Sequence, residues 1–249
     1  MTKSQPQDYT SRMVGVMGDY FAVVEENPNV RLNEFIQLKK FAKLTSPKKI
    51  LELPSEGIML DAVYPNVQID RADWFVPKNI NERFQSIETD FKFSNFYSDC
   101  YDAIVGIAPI HHANDKEKSE YFYNSHRVLK QGGVLSFAEV EKESKVHFFL
   151  DEFVDTHSST GHRGAYVDQS FHEQIESVGF NAVESEFKLC PWVFDDVNQL
   201  IYFFKKMLGM NLIEDKELIE GVERYLGIKK KSCGLSVEWG IRYFRAKKV

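Results

Sequence analysis

Residues 12–44 repeat aromatic and aliphatic positions at helical spacing, and Pro28 divides the stretch into two predicted helices. Thr45-Ser46-Pro47 ends that rhythm. Residues 48–53 (KKILEL) then read as a short apolar strand behind a basic pair. Residues 66–70 (NVQID) predict a second strand and 83–88 a weaker third, while 101–110 (YDAIVGIAPI) is the most apolar strand of the chain. Residues 115–130 set Phe122, His126 and Leu129 on one helical face, with Gln131-Gly132-Gly133 as the expected C-cap. Residues 134–140 (VLSFAEV) return at once to strand. Strand and helix alternate here, which predicts a parallel sheet covered by helices on both faces.

The last third changes character. Residues 168–178 read as a helix closed by Gly179, and 180–189 as a strand. Two amphipathic helices follow, one carrying Val197, Leu200, Ile201, Phe204 and Leu208, the other Leu218, Val222, Tyr225 and Leu226. From Leu235 to Tyr243 apolar and polar residues alternate, as in a half-exposed strand with an antiparallel partner near a sheet edge. The chain reads as one domain, residues 1–249, with a helical cap over 1–45, a core over 46–140 and a substrate-side region over 141–249.

Composition narrows the picture. The chain has 249 residues, with 31 Lys+Arg against 37 Asp+Glu and a formal charge of −6. That excludes disordered and fibrous classes and argues against a dedicated nucleic-acid binder, which needs a basic surface. Residues 222–249 are locally basic, which reads as a solvated turn and tail. No apolar run approaches the ~18 residues of a membrane span. Cys100, Cys190 and Cys233 are widely spaced and show no metal-type pattern, so no metal site is expected and the compartment expected is the cytoplasm.

Ligands of open α/β sheets bind beyond the carboxyl ends of the strands. Those ends carry Glu52-Leu53-Pro54-Ser55-Glu56-Gly57, then Asp70, then Asp90-Phe91, then Ala108-Pro109-Ile110-His111-His112. The stretch YDAIVGIAPIHHANDKEKSEYFYNSHRVLKQGGVLSFAEV resembles the central block of class I S-adenosylmethionine-dependent methyltransferases, and ILELPSEG is similar to their first motif. The resemblance covers roughly residues 45–140 and extends by element order to the C-terminus. It implies a Rossmann-like α/β fold with an antiparallel C-terminal strand, and added N- and C-terminal helices forming a lid.

It also implies roles. Glu52, Leu53, Pro54, Ser55 and Gly57 would wrap the methionine part of S-adenosyl-L-methionine, Asp70 would bind the ribose, Asp90 and Phe91 the adenine, and Ala108 would approach with its backbone. The acceptor would be a small molecule, aromatic or extended and apolar, lined by Tyr20, Phe149 and Phe204. Among the chain's histidines, His111, His112, His157 and His162 lie where a general base belongs. One departure stands out: Pro54-Ser55-Glu56 occupies a loop that normally holds two or three glycines. A second reading therefore stays open, a non-methylating enzyme or partner protein built on the same fold. A dehydrogenase is disfavoured, because no GxGxxG follows the first strand. Nothing in the sequence fixes the oligomeric state, and a homodimer is compatible with it.

Overall fold

A computed structural model describes residues 19–76, 86–168 and 170–249. Residues 12–18 of the first predicted helix and 83–85 of the third predicted strand lie outside the described residues. The helix over residues 19–26 (α1) is followed by α2 (Leu32–Ala42), β1 (Lys49–Glu52), α3 (Met59–Val63), β2 (Gln68–Asp73), β3 (Ile87–Glu88) and β4 (Tyr101–Ile107). Next come α4 (Asp115–Val128) and β5 (Leu129–Glu139). A continuous helical segment then runs as α5 (Lys145–Phe148), a π-helical turn (Phe149–Val154) and α6 (Asp155–His157). The chain closes with α7 (Ser170–Ser177), β6 (Phe180–Leu189), β7 (Trp192–Phe194), α8 (Val197–Leu208), α9 (Asp215–Tyr225), β8 (Ile228–Lys230), β9 (Leu235–Val237) and β10 (Gly240–Lys248).

The main sheet has seven strands in the order β3-β2-β1-β4-β5-β10-β6, and β7, β9 and β8 form a separate small sheet. β1 to β5 pair in parallel, whereas β10 runs antiparallel to both β5 and β6. The apolar runs follow from burial on both faces. Ile50, Ala103, Val105 and Ala138 point into one core with the N-terminal helices, α8 and the small sheet. Leu51, Ile104, Leu135 and Phe137 point into the other with α4 and α7.

Local chemistry sets the boundaries. Asn114 caps α4 through a reciprocal capping box with Glu117. Asp196 accepts from the Gln199 amide at the start of α8, and Gly209 ends that helix at φ +64°.

Four expectations are corrected. β2 runs on through Arg71-Ala72 and ends at Asp73 rather than at Asp70, because Ala72 and Asp73 are buried and pair with β3. Gln131-Gly132-Gly133 is not a C-cap, since α4 stops at Val128 and Leu129 is already extended. The alternating stretch from Leu235 to Tyr243 is two strands, broken at Glu238-Trp239 and belonging to different sheets. β10 itself lies beside the edge strand β6 and antiparallel to it, as expected of a strand near a sheet edge. The basic C-terminal stretch is no free tail, since Arg242 pairs with Glu141, Arg245 with Glu184 and Lys248 with Asp99.

Candidate functional site

A cavity opens at the carboxyl ends of the parallel strands, with about 840 Å³ of space counting the open solvent at its mouth. Strand ends supply one wall: Pro54-Ser55-Glu56 after β1, Asp73 at the end of β2, Ala108, His111 and His112 after β4, and Glu139 at the end of β5. The opposite wall comes from Tyr20, Arg31 and Glu34 of the N-terminal helices, from Met207 and Leu208 of α8, and from Trp192 and Trp239.

The loop after β1 is held close to the sheet. Leu53 continues the ladder by donating to the Val105 carbonyl at 2.9 Å. Gly106 makes room for it: a Cβ there would lie 2.0 Å from the Leu53 carbonyl oxygen. Gly57 has φ +82° and leaves the loop in a conformation that suits glycine. Glu52 is buried, accepts from the Glu56 amide at 3.3 Å and faces Arg71 Nε at 3.2 Å. Burial pushes its carboxyl up to about 8, against the downward pull of Arg71. Ser55 Oγ is buried without a hydrogen-bond partner among the described residues. Ala108 adopts φ +54°, an uncommon value for a residue with a Cβ.

A buried charge network forms the roof. Arg31 is 2.7 Å from Glu56 and 2.8 Å from Glu34, and donates to Tyr20 Oη at 2.5 Å. Tyr20 donates to Glu56, and Trp192 Nε1 donates to Glu34 at 3.0 Å. Trp192 stacks on Trp239 with ring centroids 3.9 Å apart. Burial raises the Glu34 carboxyl above its ordinary range, with Arg31 opposing.

Of the four histidines, His111, His112 and His162 converge on the cavity. His157 does not. It lies in α6, where Nδ1 meets the Phe153 carbonyl at 2.7 Å and Nε2 faces Glu217 at 3.3 Å. Asp70 is also displaced from its expected place: it sits mid-strand and accepts from Tyr101 Oη at 2.8 Å beside Lys49 at 2.9 Å. Asp73 holds the strand-end position instead.

Asp90 and Phe91 lie outside the cavity lining; Asp90 accepts from Ser94, and Phe91 stacks on Trp74 at 4.2 Å. Glu52, Leu53 and Gly57 shape the loop without lining the cavity. Tyr20 lines it, whereas Phe149 and Phe204 pack edge to face behind the wall, at 5.7 Å between centroids. Sequence reasoning missed Arg31, Glu34, Asp73, Glu139 and the tryptophan pair. A charged residue at a buried helical position, as at Arg31 and Glu34, was the signal open to it.

No known family profile and no curated protein matches the chain. Solved structures do resemble it. The YcgJ protein of Bacillus subtilis superposes with a TM-score of 0.58 at 16% identity, over 87% of this chain and 98% of that one. A SAM-dependent methyltransferase from Archaeoglobus fulgidus gives 0.56 at 15% identity, over 92% and 99%. Phosphoethanolamine N-methyltransferase 2 of Haemonchus contortus, in complex with S-adenosyl-L-methionine, gives 0.54 at 17% identity, over 93% of this chain and 56% of that one. The chain has the class I methyltransferase fold, with the antiparallel strand inserted between its neighbours β5 and β6. Likeness at these identities establishes the architecture; the chemistry must come from the cavity.

Proposed function

We propose that the protein is an S-adenosylmethionine-dependent methyltransferase acting on a small molecule. The observation that carries this is one cavity at the strand ends, lined together by a buried, unpartnered Ser55 hydroxyl, the strand-end Asp73 and three imidazoles. When bound, S-adenosylmethionine supplies an electrophilic methyl group. Ser55 and Asp73 would hold it, Asp73 through charge-assisted hydrogen bonds from ribose hydroxyls. Trp192, Trp239, Leu150, Met207 and Leu208 give the opposite wall an apolar character that suits an aromatic or extended apolar acceptor. His111, His112 or His162 would take the proton that the acceptor loses. Three free thiols fit a reducing compartment, and among the described residues no helix is long and apolar enough to cross a membrane.

Calorimetric titration with S-adenosylmethionine tests this. Asp73→Asn should weaken binding about tenfold or more, as for loss of a hydrogen bond to a charged group, while Asp70→Asn should change it less than twofold. Absence of binding by the unaltered protein at millimolar ligand would overturn the proposal.

One observation favours a second reading. Glu56 fills the position of a usual loop glycine and is committed to Arg31 and Tyr20, while Asp90 and Phe91 stand outside the cavity. A methyltransferase-fold protein of this kind would work on its substrate without the cofactor. Substrate binding that persists in a protein giving no heat with S-adenosylmethionine would select it.

A further inference from the structure

Three imidazoles meet in this cavity from two distant parts of the chain. His111 and His112 form the turn after β4, and His162 belongs to the stretch that follows α6. The two stretches are tied together, because the Ala165 amide donates to the His111 carbonyl at 2.6 Å. The ring centroids of His112 lie 4.2 Å from His111 and 4.9 Å from His162, and those of His111 and His162 are 5.6 Å apart with the rings 15° from parallel. One nitrogen from each of the three lies within 4.8 Å of the others. His112 and His162 are buried, and the His111 side chain is 12% exposed.

The surroundings orient these rings as outer partners orient metal ligands. His111 Nδ1 faces Glu139 Oε1 at 3.1 Å. Glu139 is itself fixed at the end of β5, accepting from the Ile110 and Val140 amides at 3.0 Å each. His162 Nδ1 faces Tyr166 Oη at 3.3 Å and Asp151 Oδ1 at 3.8 Å, and Tyr166 donates to Asp151. At His162 the phenolic partner at Nδ1 places the ring proton there and leaves Nε2 as the lone-pair donor, whereas Glu139 stands beside His111 Nδ1 as a neighbouring anion without a hydrogen bond to it. Carboxylates behind imidazoles also compensate a cation in front of them.

We propose that His111, His112 and His162 bind a divalent first-row transition-metal ion, with Glu139 and the Asp151–Tyr166 pair as its outer partners. An all-imidazole donor set suits Zn²⁺ and its neighbours rather than Mg²⁺ or Ca²⁺, which take oxygen ligands. Zn–N bonds of about 2.1 Å in a tetrahedron put donor nitrogens roughly 3.4 Å apart, so the trio has to close by about an ångström. Rotation of the rings about their side-chain torsions would have to supply that distance. Three protein ligands would leave a fourth position open, and all three side chains line the cavity that opens to solvent. With the ion bound the three imidazoles are ligands and not the general base, so the two proposals give them alternative roles; metal binding is measured without S-adenosylmethionine, and the two fail separately.

The test uses the full chain, stripped with EDTA and dialysed against Zn²⁺, with metal counted per chain and near-ultraviolet circular dichroism as the check on folding. One Zn²⁺ per chain is expected, unaffected by excess Mg²⁺. Co²⁺ in its place should give the visible bands of a four- or five-coordinate ion. His112→Ala and His162→Ala, folded by the circular-dichroism check, should each lose the ion. Asp151→Asn should weaken it about 10–100-fold, as loss of an outer partner does, and His157→Ala should leave the stoichiometry unchanged. If a trio variant proves unfolded, Asp151→Asn and the Co²⁺ spectrum decide. Failure of the unaltered protein to retain Zn²⁺, displacement by Mg²⁺, or undiminished affinity in folded His162→Ala would overturn the proposal.

Discussion

Replacing Arg31 by Met is the most informative single change in the roof of the cavity. Arg31 is 3% exposed and sits against two carboxylates that are themselves 1% and 5% exposed, Glu34 and Glu56. Its removal leaves both without their cation at 2.7–2.8 Å. Breaking a buried pair in this way costs about 3–5 kcal/mol, because a charge stays buried without compensation. Methionine retains most of the apolar contact with Trp192, over which the guanidinium carbon lies 5.7 Å from the ring centroid.

The cost must also depend on pH. Burial raises the Glu34 carboxyl and Arg31 opposes that rise, so without Arg31 its folded pKa climbs further above its unfolded value. A raised carboxyl contributes stability that is present below the unfolded pKa and lost as pH rises through the folded one. Urea unfolding at pH 5 and pH 8 should therefore show the deficit of Arg31→Met growing with pH. The triple variant Arg31→Met, Glu34→Gln, Glu56→Gln should recover most of it. A deficit below about 1 kcal/mol, or one equal at both pH values, would refute the idea that compensation of buried charge governs this roof.

Two further predictions concern the loop after β1. Glu52, raised from 4.5 to about 8 by burial, carries stability at acid pH that is lost as pH rises through 8, on the order of a few kcal/mol. The melting temperature of the unaltered protein should fall from pH 5 to pH 9 more steeply than that of Glu52→Gln, and parallel curves would contradict the assignment. Gly106→Ala forces a Cβ to within 2.0 Å of the Leu53 carbonyl, so the loop must move, and urea unfolding should show a loss of about 1–3 kcal/mol. Unchanged stability would mean that the loop is not seated on β4 as described.

Much of the architecture was legible because it rests on periodicity. The apolar run at residues 101–107 has to bury two faces, and an interior strand covered on both sides does that. The strand-end errors share a cause. Gln-Ile-Asp-Arg-Ala-Asp has no continuous apolar signal, and the stretch stays extended because Ala72 and Asp73 pair with Ile87 and Glu88 far along the chain. The same tertiary pairing moved the strand-end acid from Asp70 to Asp73. The break at Glu238-Trp239 was hidden for the reverse reason, since alternation of apolar and polar residues passes through it while the partner strands change.

The site was less legible than the fold because its determinants are encounters rather than motifs. His111-His112 was conspicuous, but the third imidazole is fixed by a backbone tie between Ala165 and His111, which no local spacing encodes. His157 offered as good a sequence argument as His162, and the helix that ends at His157 turns it toward Glu217. The glycine-poor loop has a similar explanation. Glu56 sits where small residues normally let a ligand approach, and it is tolerated there because Arg31 and Tyr20, 25 and 36 positions away in sequence, neutralise and bond it. The N-terminal helices thus do more than cover the cavity, since they supply the cation that lets this loop carry a buried acid. Loop and cap are one electrostatic unit, and a change in either alters the other's charge balance before it alters any contact with a ligand.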